Sequence, residues 1–214
     1  MIYKHHNTTS HRVNVARDED MFHSVEFAFE RARRLPNAWG LADLPQQVYG
    51  MDSGVYAYLG DMIVPPTSDN PAQYEILGGC FTYDTEVVYD GIIRTLRNVV
   101  GLFKVNGAQR GVGHAIMTAV ISQAKRDHVI LVLDAYDEHK LSAFYSRLGF
   151  VAWGHVDFDE EYAPEQWYDG CGRPPVKAWY HLASYDAPYM GRFDDYEVML
   201  AERNKFLTTN KWRK

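Results

Sequence analysis

The alternation of apolar and polar residues along this chain changes period several times, and each change marks an element. Residues 11–16, HRVNVA, alternate with the two-residue period of a strand. The following stretch, DEDMFHSVEFAFERARRLP, switches to the helical period. Phe22, Val25, Phe29 and Ala32 share one face, acids open the run, Arg33 and Arg34 close it, and Pro36 lies beyond. The segment ADLPQQVYG is short and broken by proline, which predicts no more than a turn of helix. Residues 55–59, VYAYL, and 74–83, YEILGGCFTY, read as neighbouring strands, and the Pro, Asp and Asn of GDMIVPPTSDNPAQ predict a loop between them. Another strand lies within residues 92–105, IIRTLRNVVGLFKV.

In the second half, a helix opening near AQRGVGHAIM carries Ile116, Met117, Val120, Ile121 and Ala124 on one side. Residues 129–133, VILVL, form an unbroken apolar run between Asp127 and Asp134, the pattern of a central strand covered on both faces. DEHKLSAFYSRLGF then sets Leu141, Phe144, Tyr145 and Leu148 at helical spacing, with Gly149 where a helix end needs a left-handed residue. FVAWGHVDF and VKAWYHLAS are two more strand candidates, separated by an acidic, Pro-containing insert over residues 157–175. Periodicity predicts a last helix over residues 194–207, bearing Met199, Leu200 and Phe206, followed by a basic tail. The order of elements predicts an α/β fold: a mixed, mostly antiparallel central sheet flanked by helices, with one crossover at its centre. Residues 1–185 would form the main domain and residues 186–214 a C-terminal helical extension and tail.

Composition narrows the function classes. A chain of 214 residues, 46% hydrophobic, can bury an enzyme-sized core. Its formal charge of −6 opposes generic nucleic-acid binding. Two cysteines, Cys80 and Cys171, cannot provide a disulfide framework, so a reducing cytoplasm is the expected setting. No stretch reaches the ~20 apolar residues of a membrane span, and the N-terminal residues lack an apolar leader. The nine histidines are scattered rather than spaced as ligands, so no metal is expected. A homodimer is the first expectation for oligomeric state.

The chemistry-bearing stretch is AQRGVGHAIM, where two glycines immediately precede a helix. The first turn of a helix has N–H groups without partners and a partial positive charge, and glycines let an anion approach without meeting a Cβ. Arg110 and His114 add charge and donors for a diphosphate. A nucleotide-binding loop of the G-x-x-x-x-G-K-[ST] kind is excluded, because after Gly107 the required Gly and Lys positions hold Val112 and Gly113. The dinucleotide fingerprint fails as well, its third glycine being Ile116. A glycine turn serving tight packing alone is the competing reading.

GVGHAIM, VILVL and AFYSRLGF occur in the order and spacing of one superfamily, and the sequence resembles the GNAT N-acyltransferases. The resemblance extends from the first strand to VKAWYHL, with the sharp motifs between residues 108 and 150. It implies acetyl-CoA as acyl donor, with the diphosphate held by residues matching [QR]-x-x-G-x-[GA]. Gly111 and Gly113 fill the last two fixed positions. The first is Ala108, and Gln109 and Arg110 are the displaced polar candidates beside Val112 and His114. Phe103 and Val105, on the strand end ahead of the loop, would lend backbone groups to pantetheine. Tyr145 falls where the family places a tyrosine facing the thioester, whereas the family's upstream asparagine is absent, with Glu138 or His139 in its region.

The implied reaction is attack by a primary amine on the thioester, for which the amine must lose a proton and the departing thiolate gains from a donor. Tyr145 is the implied donor. Glu75, Asp84 and Glu86 are candidate bases, with Glu86 preferred. Backbone N–H groups on a split strand would polarise the carbonyl. The acceptor would be a protein, a small amine or a nucleotide, and an acyl group other than acetyl stays open. Asp157, Asp159, Glu160 and Glu161 of the insert, with Trp167 and Tyr168, suit a cationic acceptor. A calcium loop there lacks the required glycine and terminal glutamate, and a solvated charged loop is the alternative. The insert also resembles GNAT-like domains of phage and mobile-element proteins, which admits a different class of role: a GNAT-fold binding or structural module without catalysis.

Overall fold

The computed structural model describes residues 12–16, 19–34, 44, 46–49, 54–65, 67–68, 73–89, 92–136, 139–156 and 176–182. Seven strands and three α-helices alternate along them. Strand β1 (Arg12–Ala16) precedes α1 (Glu19–Arg33), and a 3-10 turn (Gln46–Tyr49) leads to β2 (Gly54–Val64), β3 (Gln73–Tyr89) and β4 (Ile92–Lys104). Then follow α2 (Val112–Asp127), β5 (Ile130–Tyr136), α3 (His139–Arg147), β6 (Val151–Val156) and β7 (Val176–Leu182). The hydrogen-bonded order is β1-β2-β3-β4-β5-β7-β6. β4 and β5 pair in parallel across the α2 crossover, and the registered pairs of β1–β2, β2–β3, β5–β7 and β6–β7 are antiparallel. This is the mixed α/β sheet that the pattern predicts. The insert, the helix expected at 194–207 and the boundary at residue 185 lie outside the described residues.

The chain divides into two compact units. In the first lie β1, α1, β2, β3 to Tyr83, β4 from Val99 and α2 to Val120. Its core forms because α1 turns Val25, Phe29 and Ala32 inward, all buried, against the sheet. The Phe29 ring meets Phe81 and Phe103 edge-on, at 6.0 and 5.5 Å between centroids. Burying a side chain of this size stabilises the fold by about 1.5–3 kcal/mol. Gly79 faces the same way, since a Cβ there would lie 2.7 Å from Val25 Cγ1. Its neighbour Gly78 faces oppositely, toward Val112 at the start of α2. Successive strand residues alternate faces, so α1 and the first half of α2 cover opposite sides of this part of the sheet.

Two strands run past the ends that the pattern predicts: β3 continues beyond Tyr83 to Tyr89, and β2 beyond Leu59. β2 runs on through Val64, over residues that read as loop. Its register to β3 shifts between Tyr58 and Leu59, between Leu59 and Met62, and between Met62 and Val64. Met62, Ile63 and Val64 are all exposed there. Bulges and solvent on this arm erase the two-residue alternation on which a strand is recognised.

The second unit holds β3 from Asp84, β4 to Asn98, α2 from Ile121, and β5, α3, β6 and β7. Ile130, Leu131, Val132 and Leu133 are all buried, and β5 lies between β4 and β7 as the apolar run predicts. Arg97, opposite Leu131, is a buried charge in this unit. Its Nε and Nη2 donate to the two carboxylate oxygens of Asp84 at 2.7 and 2.8 Å, and its Nη1 donates to Asp127. Asp127 ends α2, where the helix dipole disfavours a carboxylate, and the guanidinium offsets that repulsion. Removing it strands two acids. Arg97→Met is therefore expected to lower stability by about 2–3 kcal/mol, less than a fully buried pair because both carboxylates keep some solvent. Equilibrium urea unfolding checks this, and a loss under ~0.5 kcal/mol contradicts it.

Candidate functional site

The helix α2 is launched by a short, firmly tied loop. Val105 N donates to Leu77 O at 2.9 Å, extending the sheet by one bond past the end of β4. Ala108 N then donates to Val105 O at 3.1 Å, closing a turn whose third residue, Gly107, has φ +86°. A turn of this kind needs positive φ at that position, which explains the glycine. Lys104 Nζ donates to Ala108 O at 3.1 Å and fixes the far side of the turn. Gln109 Nε2 donates to the hydroxyl of Tyr58 at 2.7 Å, so this side chain is held by β2.

Gly111 comes next, with φ +94°, and its carbonyl accepts the first helical bond, from Ala115 N at 2.9 Å. Gly111 is thus the N-cap, and Val112, Gly113 and His114 are the first three helical residues. Most N-caps carry a side-chain oxygen that satisfies one of these amides. Glycine supplies none. Among the described residues no acceptor is assigned to the N–H groups of Val112, Gly113 or His114. A Cβ at Gly111 would meet nothing within 4 Å, so the approach is open, and the exposed side chains of Arg110 and His114 flank it. The helix start cannot drift, because Val112 is buried and its Cγ1 would lie 2.6 Å from a Cβ on Gly78. Three N–H groups at the positive end of a helix, with the Arg110 side chain next in sequence, are the chemistry that suits an anion, and this loop is the candidate cradle. Phe103, which precedes the loop, is buried with its ring toward α1, and Val105 is half-buried.

Tyr145 belongs to the second unit. It lies on α3, 7% exposed, with its ring 5.1 Å from Phe144, 5.7 Å from Phe150 and 6.0 Å from Trp179 between centroids. The helix ends just beyond it. Gly149 N donates to Ser146 O at 3.0 Å and Phe150 N to Tyr145 O at 3.1 Å, with Gly149 at φ +89°. This pair of bonds is a Schellman cap, and the Tyr145–Phe150 ring contact is the apolar contact that accompanies it. The spacing of Tyr145, Gly149 and Phe150 therefore has a folding cause of its own. Trp179 Nε1 is buried with no acceptor among the described residues.

The candidate bases separate by environment. Both oxygens of Asp84 accept hydrogen bonds from Arg97. Glu75 and Glu86 are exposed. Among the described residues no group of three His, Cys, Asp or Glu could hold a metal ion, and no helix is long and apolar enough to cross a membrane. Cys80 is fully buried, and burial pushes its thiol well above the usual range, so it stays protonated and inert. Tyr58, Lys104 and Gly78, which support the loop, were not singled out by the sequence pattern, and neither was Arg97 in the second unit. For Tyr58 the strand pattern signalled burial, but nothing in it revealed which loop its hydroxyl would reach.

The cradle makes a direct prediction. Gly111→Ala has room for its methyl but must adopt a positive φ, costing about 1–2 kcal/mol and tilting the first amides. Anion affinity at the loop should fall about tenfold, read by calorimetric titration with CoA. Unchanged affinity contradicts the assignment of Gly111 as the N-cap of a binding helix.

No protein-family model and no curated protein matches the sequence. Solved structures match the fold. FeeM, an N-acyl amino acid synthase from uncultured soil microbes, is 11% identical, with a TM-score of 0.55 over 82% of this chain and 92% of that one. Arabidopsis thaliana NAA60 in complex with acetyl-CoA is 13% identical, with a TM-score of 0.53 over 80% and 98%. The ribosomal-protein-S18-alanine N-acetyltransferase of Escherichia coli is 15% identical, with a TM-score of 0.52 over 84% and 97%. At these identities the likeness is one of fold: this chain has the mixed α/β architecture of the GNAT N-acyltransferases.

Proposed function

We propose that this protein is a CoA-dependent N-acyltransferase that carries an acetyl group from acetyl-CoA to a primary amine. The observation that carries this reading is the set of three N–H groups at Val112, Gly113 and His114, left without acceptors among the described residues by a glycine N-cap. A diphosphate fits such a group: it accepts from several amides, is favoured by the helix end, and needs the space that Gly111 leaves clear. Arg110 adds charge, His114 adds a ring donor, and backbone groups of Phe103 and Val105 are assigned to pantetheine. Gln109 contributes through its backbone and its tie to Tyr58 rather than as a ligand side chain. The fold shared with NAA60 in complex with acetyl-CoA supports the same assignment.

In the proposed reaction the amine nitrogen attacks the thioester carbon, the C–S bond breaks, and the sulfur leaves as a thiolate. Tyr145 Oη supplies its proton, and Glu86, exposed on β3, takes the proton released by the amine. Both residues belong to the second unit. The setting proposed for this activity is the cytoplasm, with a homodimer as the working assembly.

A second reading, a GNAT-fold module that binds without turnover, draws support from Tyr145, whose burial and capping contact give it a role in folding alone. The two readings diverge in measurement. The transferase is expected to bind acetyl-CoA with micromolar affinity and to transfer labelled acetyl to a member of a panel of small amines and peptide N-termini. Binding with no transfer to any acceptor selects the module, and no association at millimolar acetyl-CoA removes the transferase reading. Tyr145→Phe should lower kcat by ~10²-fold or more while leaving the affinity for acetyl-CoA within twofold. An unchanged rate removes Tyr145 from the chemistry.

A further inference from the structure

We propose that Tyr58 is a positioning residue for the anion cradle, acting through Gln109, an assignment that rests on the CoA reading above. Tyr58 lies in the middle of β2, 1% exposed, opposite Val13 of β1 and Gly78 of β3. Residues opposite one another in an antiparallel pair point to the same face, and the Gly78 face is the one covered by the start of α2. The Tyr58 ring therefore runs beneath the helix start, and its hydroxyl emerges at the loop, where it accepts from Gln109 Nε2 at 2.7 Å.

Gln109 stands two residues before the N-cap Gly111. Only Arg110, exposed, lies between them, and Gly111 is itself the most permissive residue available. Upstream, the loop is tied by Val105, Ala108 and Lys104, and downstream by the Ala115–Gly111 helical bond. Among the described residues, residues 109–111 would without the phenol be joined to the body of the unit through those flanking ties alone. A glycine cap is where this matters most. Side-chain caps fix the entry angle of a helix from within, whereas a glycine cap leaves that angle to outside contacts. The Tyr58–Gln109 bond is such a contact. It connects the rigid sheet to the residue from which the amides of 112–114 are aimed. A phenol both donates and accepts, so the pair is satisfied whichever end of the Gln109 amide faces it.

The cost of losing this bond falls on ligands that use the amides and on no others. Tyr58→Phe deletes one oxygen and keeps the buried ring, and Gln109→Leu removes the other partner at an exposed position, so at least one variant stays folded. Isothermal titration with CoA, which carries the diphosphate, and NMR titration with acetyl-pantetheine, which lacks it, separate the effects. We expect each variant to bind CoA about tenfold more weakly than the parent protein, with acetyl-pantetheine affinity unchanged. The double variant should be no weaker than either single one, because both remove the same bond. CoA binding unchanged in a folded Tyr58→Phe, equal losses for both ligands, or losses that add in the double variant would overturn the assignment of Tyr58 while leaving the CoA reading intact. Failure of the parent protein to bind CoA overturns both.

Discussion

The site depends on a steric constraint at Gly78. No side chain fits there, because Val112 Cγ1 and the carbonyl of Phe103 both lie within 2.7 Å of where a Cβ would sit. The constraint ties three elements together: β3 carries the glycine, β4 the carbonyl, and α2 begins with the valine. Once Val112 is pressed against the sheet, the axis and the starting point of α2 are set, and with them the direction of the first amides. The glycines that follow the turn perform a different task. Gly107 and Gly111 take positive φ with open space around them, so they serve conformation and access rather than packing. Packing and permissiveness thus come from different glycines, and the cradle needs both.

The second unit is organised by other means. Its parallel β4–β5 register of three pairs is centred on Arg97, whose buried guanidinium satisfies acids from β3 and the end of α2. A single arginine so placed joins β4 to β3 and to the end of α2. The α3 terminus relies instead on backbone geometry and on a ring-to-ring contact. Tyr145 takes part in that cap, so folding alone is a sufficient cause for its presence in the sequence.

Most of the fold could be read from periodicity. The apolar stripes of α1 and α2 and the run at β5 are one-dimensional records of burial, and the structure buries those residues except Phe22 and Ile121, which are half-buried. The β2 arm could not be read, because its bulges and exposed Met62, Ile63 and Val64 carry no alternation. Within the site, Gly111 and Gly113 announced a helix start locally, since cap chemistry is a property of adjacent residues. Arg97 and Tyr58 were silent for the opposite reason. Their partners stand 13, 30 and 51 residues away, and only the register of the sheet brings them together. Asp84 shows the same limit: as a strand-edge acid it suited a base, yet its oxygens belong to Arg97.

Whether the main-chain nitrogens at the head of α2 receive a diphosphate is tested most directly by backbone amide NMR during titration with CoA. The account predicts that the resonances of Gly111, Val112, Gly113 and His114 move furthest and saturate together, and that inorganic pyrophosphate moves the same set at higher concentration. CoA that binds while leaving these four unmoved would contradict it.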